Sequence, residues 1–191
     1  MDFFKYSKKL NDSLLKTSED VLSQIFDVFK YIIHNQGTVI LCGNGGSFAN
    51  SLHIAGDYHK TFASHNASFH AVGENFCSIS AIANDNCFEE AMSITLSPLI
   101  KKEVPTCVVF LSGSGNSINL VKALSSIKSD LKNKRYLKTI SLSAYGGGSI
   151  SKLVDIALSF EIDDMEIAED IQLIIFHYLK QKLIEIYPDK K

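Results

Sequence analysis

A chain of 191 residues is long enough for one domain with a sizeable core, and 46% hydrophobic with 21% charged residues is an ordinary globular balance. The formal net charge of −2 gives no broad basic field, which excludes nucleic acid as an expected partner. No apolar stretch reaches the roughly 20 residues that span a bilayer, and no apolar region follows the first basic residues. The expectation is a cytoplasmic protein without a signal peptide or a membrane partner.

The first 35 residues carry a helical stripe, with Leu14, Val21, Ile25, Val28, Phe29 and Ile32 at three- and four-residue steps. One or two helices are expected there, ending near Asn35-Gln36-Gly37 and packing on the rest of the chain as an N-terminal segment, 1–36. The period then changes. Short apolar runs predict strands at Thr38–Cys42, Thr106–Leu111, Leu137–Ala144 and Val154–Phe160, with a weaker one at Ala67–Val72. Helical segments fall between them at Ser47–Lys60, Asn75–Ala83, Phe88–Leu99 and Ser117–Leu131, and a last helix covers about Asp164–Ile186. Continuous rather than alternating apolar strands, separated by helices, predict an α/β fold: a doubly wound five-stranded parallel sheet covered on both faces. No linker or repeat divides the chain, so 1–191 reads as a single domain. Cys42 and Cys107 lie in or beside strands, and none of the four cysteines forms a C-x-x-C pair, so inert thiols in a reducing compartment are expected.

Two turns stand out. Gly43-Asn44-Gly45-Gly46-Ser47 follows the first strand, and Ser112-Gly113-Ser114-Gly115-Asn116-Ser117 follows the Thr106 strand; a helix follows each. Open α/β sheets bind ligands outside the carboxyl ends of their strands. Glycine lets the backbone approach a ligand, and the helix that follows offers unpaired amides and a positive dipole end. Neither turn is followed by Gly-Lys-Ser/Thr and neither matches G-x-G-x-x-G, so no nucleotide cofactor is expected. A single such turn is more often a structural cap. Two of them, each after a buried strand, favour phosphate binding.

With Asn84-Asp85 between them, these loops closely resemble the sugar isomerase (SIS) superfamily, whose fold is flavodoxin-like. Within it the chain looks most like the sedoheptulose-7-phosphate (phosphoheptose) isomerases, from its N-terminal helices to its last helix. The resemblance implies that Ser112, Ser114 and Ser117 hold a sugar phosphate, with Gly113 where threonine is usual. It implies that Asn44, Gly45, Gly46, Ser47, Asn84 and Asp85 contact the sugar. It also implies a homo-oligomer, most often a tetramer, and a place in making lipopolysaccharide or capsule heptose.

His53 and Asp57 are four apart on one predicted helix, so both face one side and can converge on a metal, although a surface histidine–carboxylate pair has the same spacing. Glu169 and His177 are eight apart on the last helix, within about 80° of one face. The family carries His and Glu on the early helix and Gln and His on the last one, where they hold zinc in some members and supply acid and base. Matching the final histidine to His177 puts Asp57 and Glu169 at the other two positions, both departures in residue type. A register through Gln172 is the alternative, with Lys180 at the histidine position. The preferred set is therefore His53, Asp57, Glu169 and His177 as zinc ligands, with Asp57 or Glu169 as base and His177 as acid. His34, His59, His65 and His70 lack partners at such spacing.

The expected activity is aldose–ketose isomerisation of a phosphosugar through an enediol(ate), most like the conversion of D-sedoheptulose 7-phosphate to D-glycero-D-manno-heptose 7-phosphate. Two rivals remain: a non-catalytic phosphosugar-binding protein with a regulatory or assembly role, and another phosphosugar-modifying enzyme on the same fold.

Overall fold

The computed structural model describes residues 2–130 and 136–188. The N-terminal stripe forms two helices, α1 (Phe3–Leu14) and α2 (Glu19–His34). Ser18 divides them, because its hydroxyl caps α2 by accepting from the Val21 N–H at 3.4 Å. Then follow β1 (Thr38–Gly43), α3 (Gly45–Phe62), β2 (Ser68–Ala71), α4 (Phe76–Asp85) and α5 (Phe88–Leu96). The second half contains β3 (Thr106–Ser112), α6 (Ile118–Asp130), β4 (Leu137–Ser143), β5 (Ile156–Ser159) and α7 (Met165–Ile186). Leu131, the expected end of the sixth helix, lies outside the described residues.

The five strands are all parallel, in the order β2-β1-β3-β4-β5. This is a flavodoxin-like order, as the family resemblance implies, in the doubly wound parallel sheet that the strand pattern predicts. Alternate residues of β1 and β3 enter opposite layers. Val39, Leu41, Cys107, Val109 and Leu111 pack with α2, α3 and α7, and Tyr6 and Leu10 of α1 lean on the same cluster. Ile40, Cys42, Val108 and Phe110 pack with α5 and α6. All seven residues of β3 are buried, which is why its sequence shows no polar alternation.

Two boundaries differ from the sequence reading for identifiable reasons. The strand expected at Val154–Phe160 begins only at Ile156, because the Asp155 side chain accepts from both the N–H and the hydroxyl of Thr139, each at 2.8 Å. The helix expected at Phe88–Leu99 ends as an α-helix at Leu96, and Pro98 sits in a short 3-10 turn over Ser97–Leu99. Cys42 and Cys107 are buried as expected, and desolvation pushes both thiols far above the usual range; Cys77, in contrast, is exposed. Among the described residues, no helix is long and apolar enough to cross a membrane.

Candidate active site

In this strand order the chain leaves β1 towards β2 on one side and returns to β3 on the other. The crevice outside the carboxyl ends of β1 and β3 is therefore the switch point of the sheet. Gly43 pairs with Leu111 in register, so both glycine- and serine-rich loops open side by side there.

The first loop enters α3 with Gly45 at φ +55. A side chain at Gly43 would run into the Ser47 carbonyl, so the sharp turn requires glycine. The Asn44 and Asn119 side-chain amides exchange two hydrogen bonds of 2.8 Å, which ties this loop to α6. Glu169 of α7 lies directly against Gly46 and accepts from the Ser47 N–H. The positive end of α3 thus already faces a carboxylate of the same chain. Desolvation holds that carboxyl above the ordinary glutamate range, against the lowering effect of the Ser47 bond, and nearby Glu166 and Asp170 raise it further.

The second loop is built differently. Ser112 Oγ accepts from the Gly115 N–H at 3.0 Å, and Ser114 Oγ accepts from the Asn116 N–H at 3.2 Å. Each hydroxyl keeps its own proton for another acceptor. Ser117 stands just before α6, and its carbonyl accepts from the Leu120 and Val121 N–H groups. The turn after β4 braces this loop: Asn116 Oδ1 accepts from the N–H and the hydroxyl of Ser149, each at 2.9 Å, and Ala144 N–H donates to the Gly113 carbonyl at 2.8 Å. Gly115 has φ +66, and a side chain there would strike the Gly147 carbonyl. Gly113, where a hydroxyl is missing, faces the Met165 thioether, which fills the space a side chain would need. Asn84 and Asp85 are exposed at the end of α4, Asn84 donating to Asp85 at 3.0 Å. It is Phe76 and Ile79 of that helix that line the pocket beside the first loop, with Phe48, Met92 and Asn119.

Helices α3 and α7 run side by side in the same direction, and their contacts step along both. Asn50 donates to the Glu169 carbonyl at 2.9 Å and to Gln172 Oε1 at 3.0 Å, and Gln172 donates to Ser47 Oγ at 3.4 Å. A turn further, His53 Nε2 and His177 Nε2 are 3.1 Å apart, with the rings nearly perpendicular. One turn beyond, the Lys180 ammonium donates to the Asp57 carboxylate. The Tyr58 hydroxyl, fully buried, closes the seam on the Phe176 carbonyl at 2.7 Å.

Among the described residues, one group offers metal-ligating atoms together: His53, Asp57 and His177, all within 4.8 Å of one another. Glu169 is not in it. Eight residues along a helix amount to a rise of about 12 Å, so Glu169 and His177 share a face but serve opposite ends of the seam. By spacing, His177 and the Gln172–Lys180 register are alternatives. Both sets line the seam, His177 against His53 and Lys180 against Asp57. The signal for Lys180 was present in the spacing: His177 and Lys180 at i, i+3 face His53 and Asp57 at i, i+4. Asn119 and Met165 gave no local signal, because their partners are 75 and 52 residues away in sequence.

A parallel sheet with two phosphate-type loops at its switch point and a histidine–carboxylate cluster on the adjoining helices defines an SIS-type sugar-phosphate protein. No protein-family model matches the chain. The phosphoheptose isomerase of Helicobacter pylori (strain ATCC 700392 / 26695) is 30% identical over 181 residues, 93% of this chain and 90% of the relative. That of Chlorobaculum tepidum is 30% identical over 158 residues, 80% of this chain and 72% of the relative. The chain belongs to the phosphoheptose isomerase family. The solved phosphoheptose isomerase of Neisseria gonorrhoeae shares the fold, with a TM-score of 0.82 at 22% identity over 95% of each chain.

Proposed function

We propose that this protein is an aldose–ketose isomerase that interconverts D-sedoheptulose 7-phosphate and D-glycero-D-manno-heptose 7-phosphate through an enediol(ate). The observation that carries the reading is the meeting of His53, Asp57 and His177 on the α3–α7 seam, with His53 about two turns along α3 from the first switch-point loop. Glu169 occupies the amide end of α3, which leaves the second loop for the phosphate dianion. There the Ser112, Ser114 and Ser117 hydroxyls and the first amides of α6 are the donors. Asn44, Gly45, Gly46 and Ser47 form the wall along which the sugar lies, while Asn84 and Asp85 stand at the exposed end of α4, outside the lining of the pocket beside that loop.

In the ketose-to-aldose direction the base takes a proton from C1, alpha to the C2 carbonyl, and the C1–C2 pair becomes an enediolate. A proton returns to C2 while another passes from O1 to O2, so nothing is gained or lost. Asp57 is the base we favour over Glu169, because it stands with the His53 and His177 imidazoles, whereas Glu169 is engaged by the Ser47 N–H at the loop end of the seam. His177 moves the proton between the oxygens, since imidazole changes charge near neutral pH.

Two imidazoles and a carboxylate are a zinc-type donor set, and nitrogens on a tetrahedral zinc stand about 3.3 Å apart for Zn–N bonds of about 2.0–2.1 Å, close to the separation seen here. His53, Asp57 and His177 would hold such an ion, provided Asp57 leaves Lys180, and Glu169 would not. When bound, it would polarise the carbonyl and stabilise the enediolate.

A non-catalytic binding role is not favoured, because the relatives matched over most of the chain are named as isomerases. Incubation with sedoheptulose 7-phosphate, followed by carbon NMR, should yield the aldose; substrate that binds and is returned unchanged overturns the reading. The protein is further proposed to be cytoplasmic and homotetrameric. The exposed Phe3, Phe4 and Leu15 of the N-terminal segment and Phe76 and Phe88 near the site support assembly. Light scattering at the mass of one chain would contradict it.

A further inference from the structure

We propose that Lys180 is the built-in cation of this site: its ammonium holds, at Asp57, the place that a divalent metal would take. The role rests on the isomerase reading, while the competition with metal stands on geometry alone. The pair is largely withdrawn from solvent, with 19% of the Lys180 side chain and 25% of the Asp57 side chain exposed. An ammonium–carboxylate hydrogen bond in such a setting is among the stronger ones a side chain makes.

A carboxylate binds a metal as a free anion. For Asp57 to do so, it must give up its bond to Lys180, and the lysine charge would then stand unpaired beside a dication. Both effects weaken metal binding, and neither is offset nearby, because Glu169 lies at the other end of the seam against Gly46 and Ser47. The two imidazoles do not require an ion either. At 3.1 Å, one Nε2–H donates to the other ring's Nε2, which satisfies both nitrogens. The seam is complete with a lysine in it.

The spacing explains why lysine can reach. Asp57 follows His53 by four residues and Lys180 follows His177 by three, so the two second members come level one turn beyond the histidine pair. The long, flexible stem of lysine brings a point charge there without a fixed fork geometry, which arginine would impose. In catalysis that charge holds Asp57 in place and supplies positive potential beside the developing enediolate, the duty a metal performs elsewhere.

The test is metal uptake. Wild-type protein, Lys180→Met and Lys180→Gln are stripped with chelator, checked for native circular dichroism, and dialysed against buffered Zn²⁺ and Co²⁺. Removing the lysine should tighten uptake by about tenfold to a hundredfold, the scale of one hydrogen bond to a charged group. The Co²⁺ spectrum should become that of a tetrahedral site. Adding His177→Ala to Lys180→Met should abolish the gain. Wild-type protein that takes up one Zn²⁺ per chain as tightly as either variant overturns the proposal, as does a gain that survives His177→Ala. Solvent-deuterium exchange into the substrate, run on the same stripped wild type, separates the two readings. Exchange only after zinc is restored overturns the lysine proposal; no exchange under any condition sinks the isomerase reading and leaves the uptake result standing.

Discussion

At the loop end of the α3–α7 seam, Glu169 faces the Ser47 N–H, its charged neighbours are Glu166 and Asp170, and burial lifts its pKa. About three turns further along α7, Asp57 faces the Lys180 ammonium and lies within reach of two imidazoles. The same pair of helices thus holds one acid by amides and another by a cation. The lesson concerns division of labour. A carboxylate on the amide end of a helix closes that end to a second anion, whereas a carboxylate held by a mobile side chain can exchange partners during a reaction.

The contrast should be easiest to break at the cation end. His177→Gln and Asp57→Asn should each lower turnover by about 10²–10⁴-fold, the range for a positioned acid or base, while phosphosugar affinity by calorimetry stays near that of wild type. Glu169→Gln should leave much more activity, because the amide still accepts from Ser47. Equal losses at the two ends would erase the distinction.

A smaller effect is expected at the second loop. Ser112→Ala and Ser114→Ala should weaken phosphosugar binding by roughly tenfold or more each, since a hydrogen bond to a charged group contributes about 1.5–3 kcal/mol. Ser112→Ala should also cost some stability, because it leaves the buried Gly115 N–H without its acceptor. Unchanged affinity in both would move the phosphate away from this loop.

The smallest effect is a pH dependence of stability. The folded-state pKa of Glu169 is raised above its unfolded value, so the folded protein binds more protons than the unfolded chain between the two. Stability from this group is therefore full below the ordinary glutamate pKa, about 4.3, and is lost as pH rises through the raised value. Glu169→Gln should flatten that part of the profile and slightly raise the melting temperature at neutral pH. A variant that melts lower at pH 7 would show that the charge is stabilised.

The sheet was legible because a parallel strand buried on both faces is a plain apolar run: Thr106–Leu111 was read to within one residue of the observed Thr106–Ser112. Its end was equally visible, since the serine- and glycine-rich turns follow at once. What could not be read was the pairing across helices. Helical spacing puts Glu169 and His177 on one face, but it does not say which level of α3 each will meet. Glu169 meets Gly46 and His177 meets His53 because the helices run in the same direction, and that is a property of the crossovers rather than of either segment. For the same reason spacing alone makes Lys180 a rival to His177, whereas in the fold the two occupy successive turns. The Gly113–Met165 contact shows the same limit, for residues 52 apart become one feature only when folded.

The most direct test of proton transfer at this seam is hydrogen exchange into the sugar. Sedoheptulose 7-phosphate is incubated with wild-type protein in D₂O, and deuterium at C1 of the recovered ketose and at C2 of the aldose is measured by NMR. Incorporation by wild type that falls by about 10²-fold or more in Asp57→Asn is the predicted result. Substrate bound by wild type but recovered without deuterium, or exchange that is unaltered in Asp57→Asn, would contradict it.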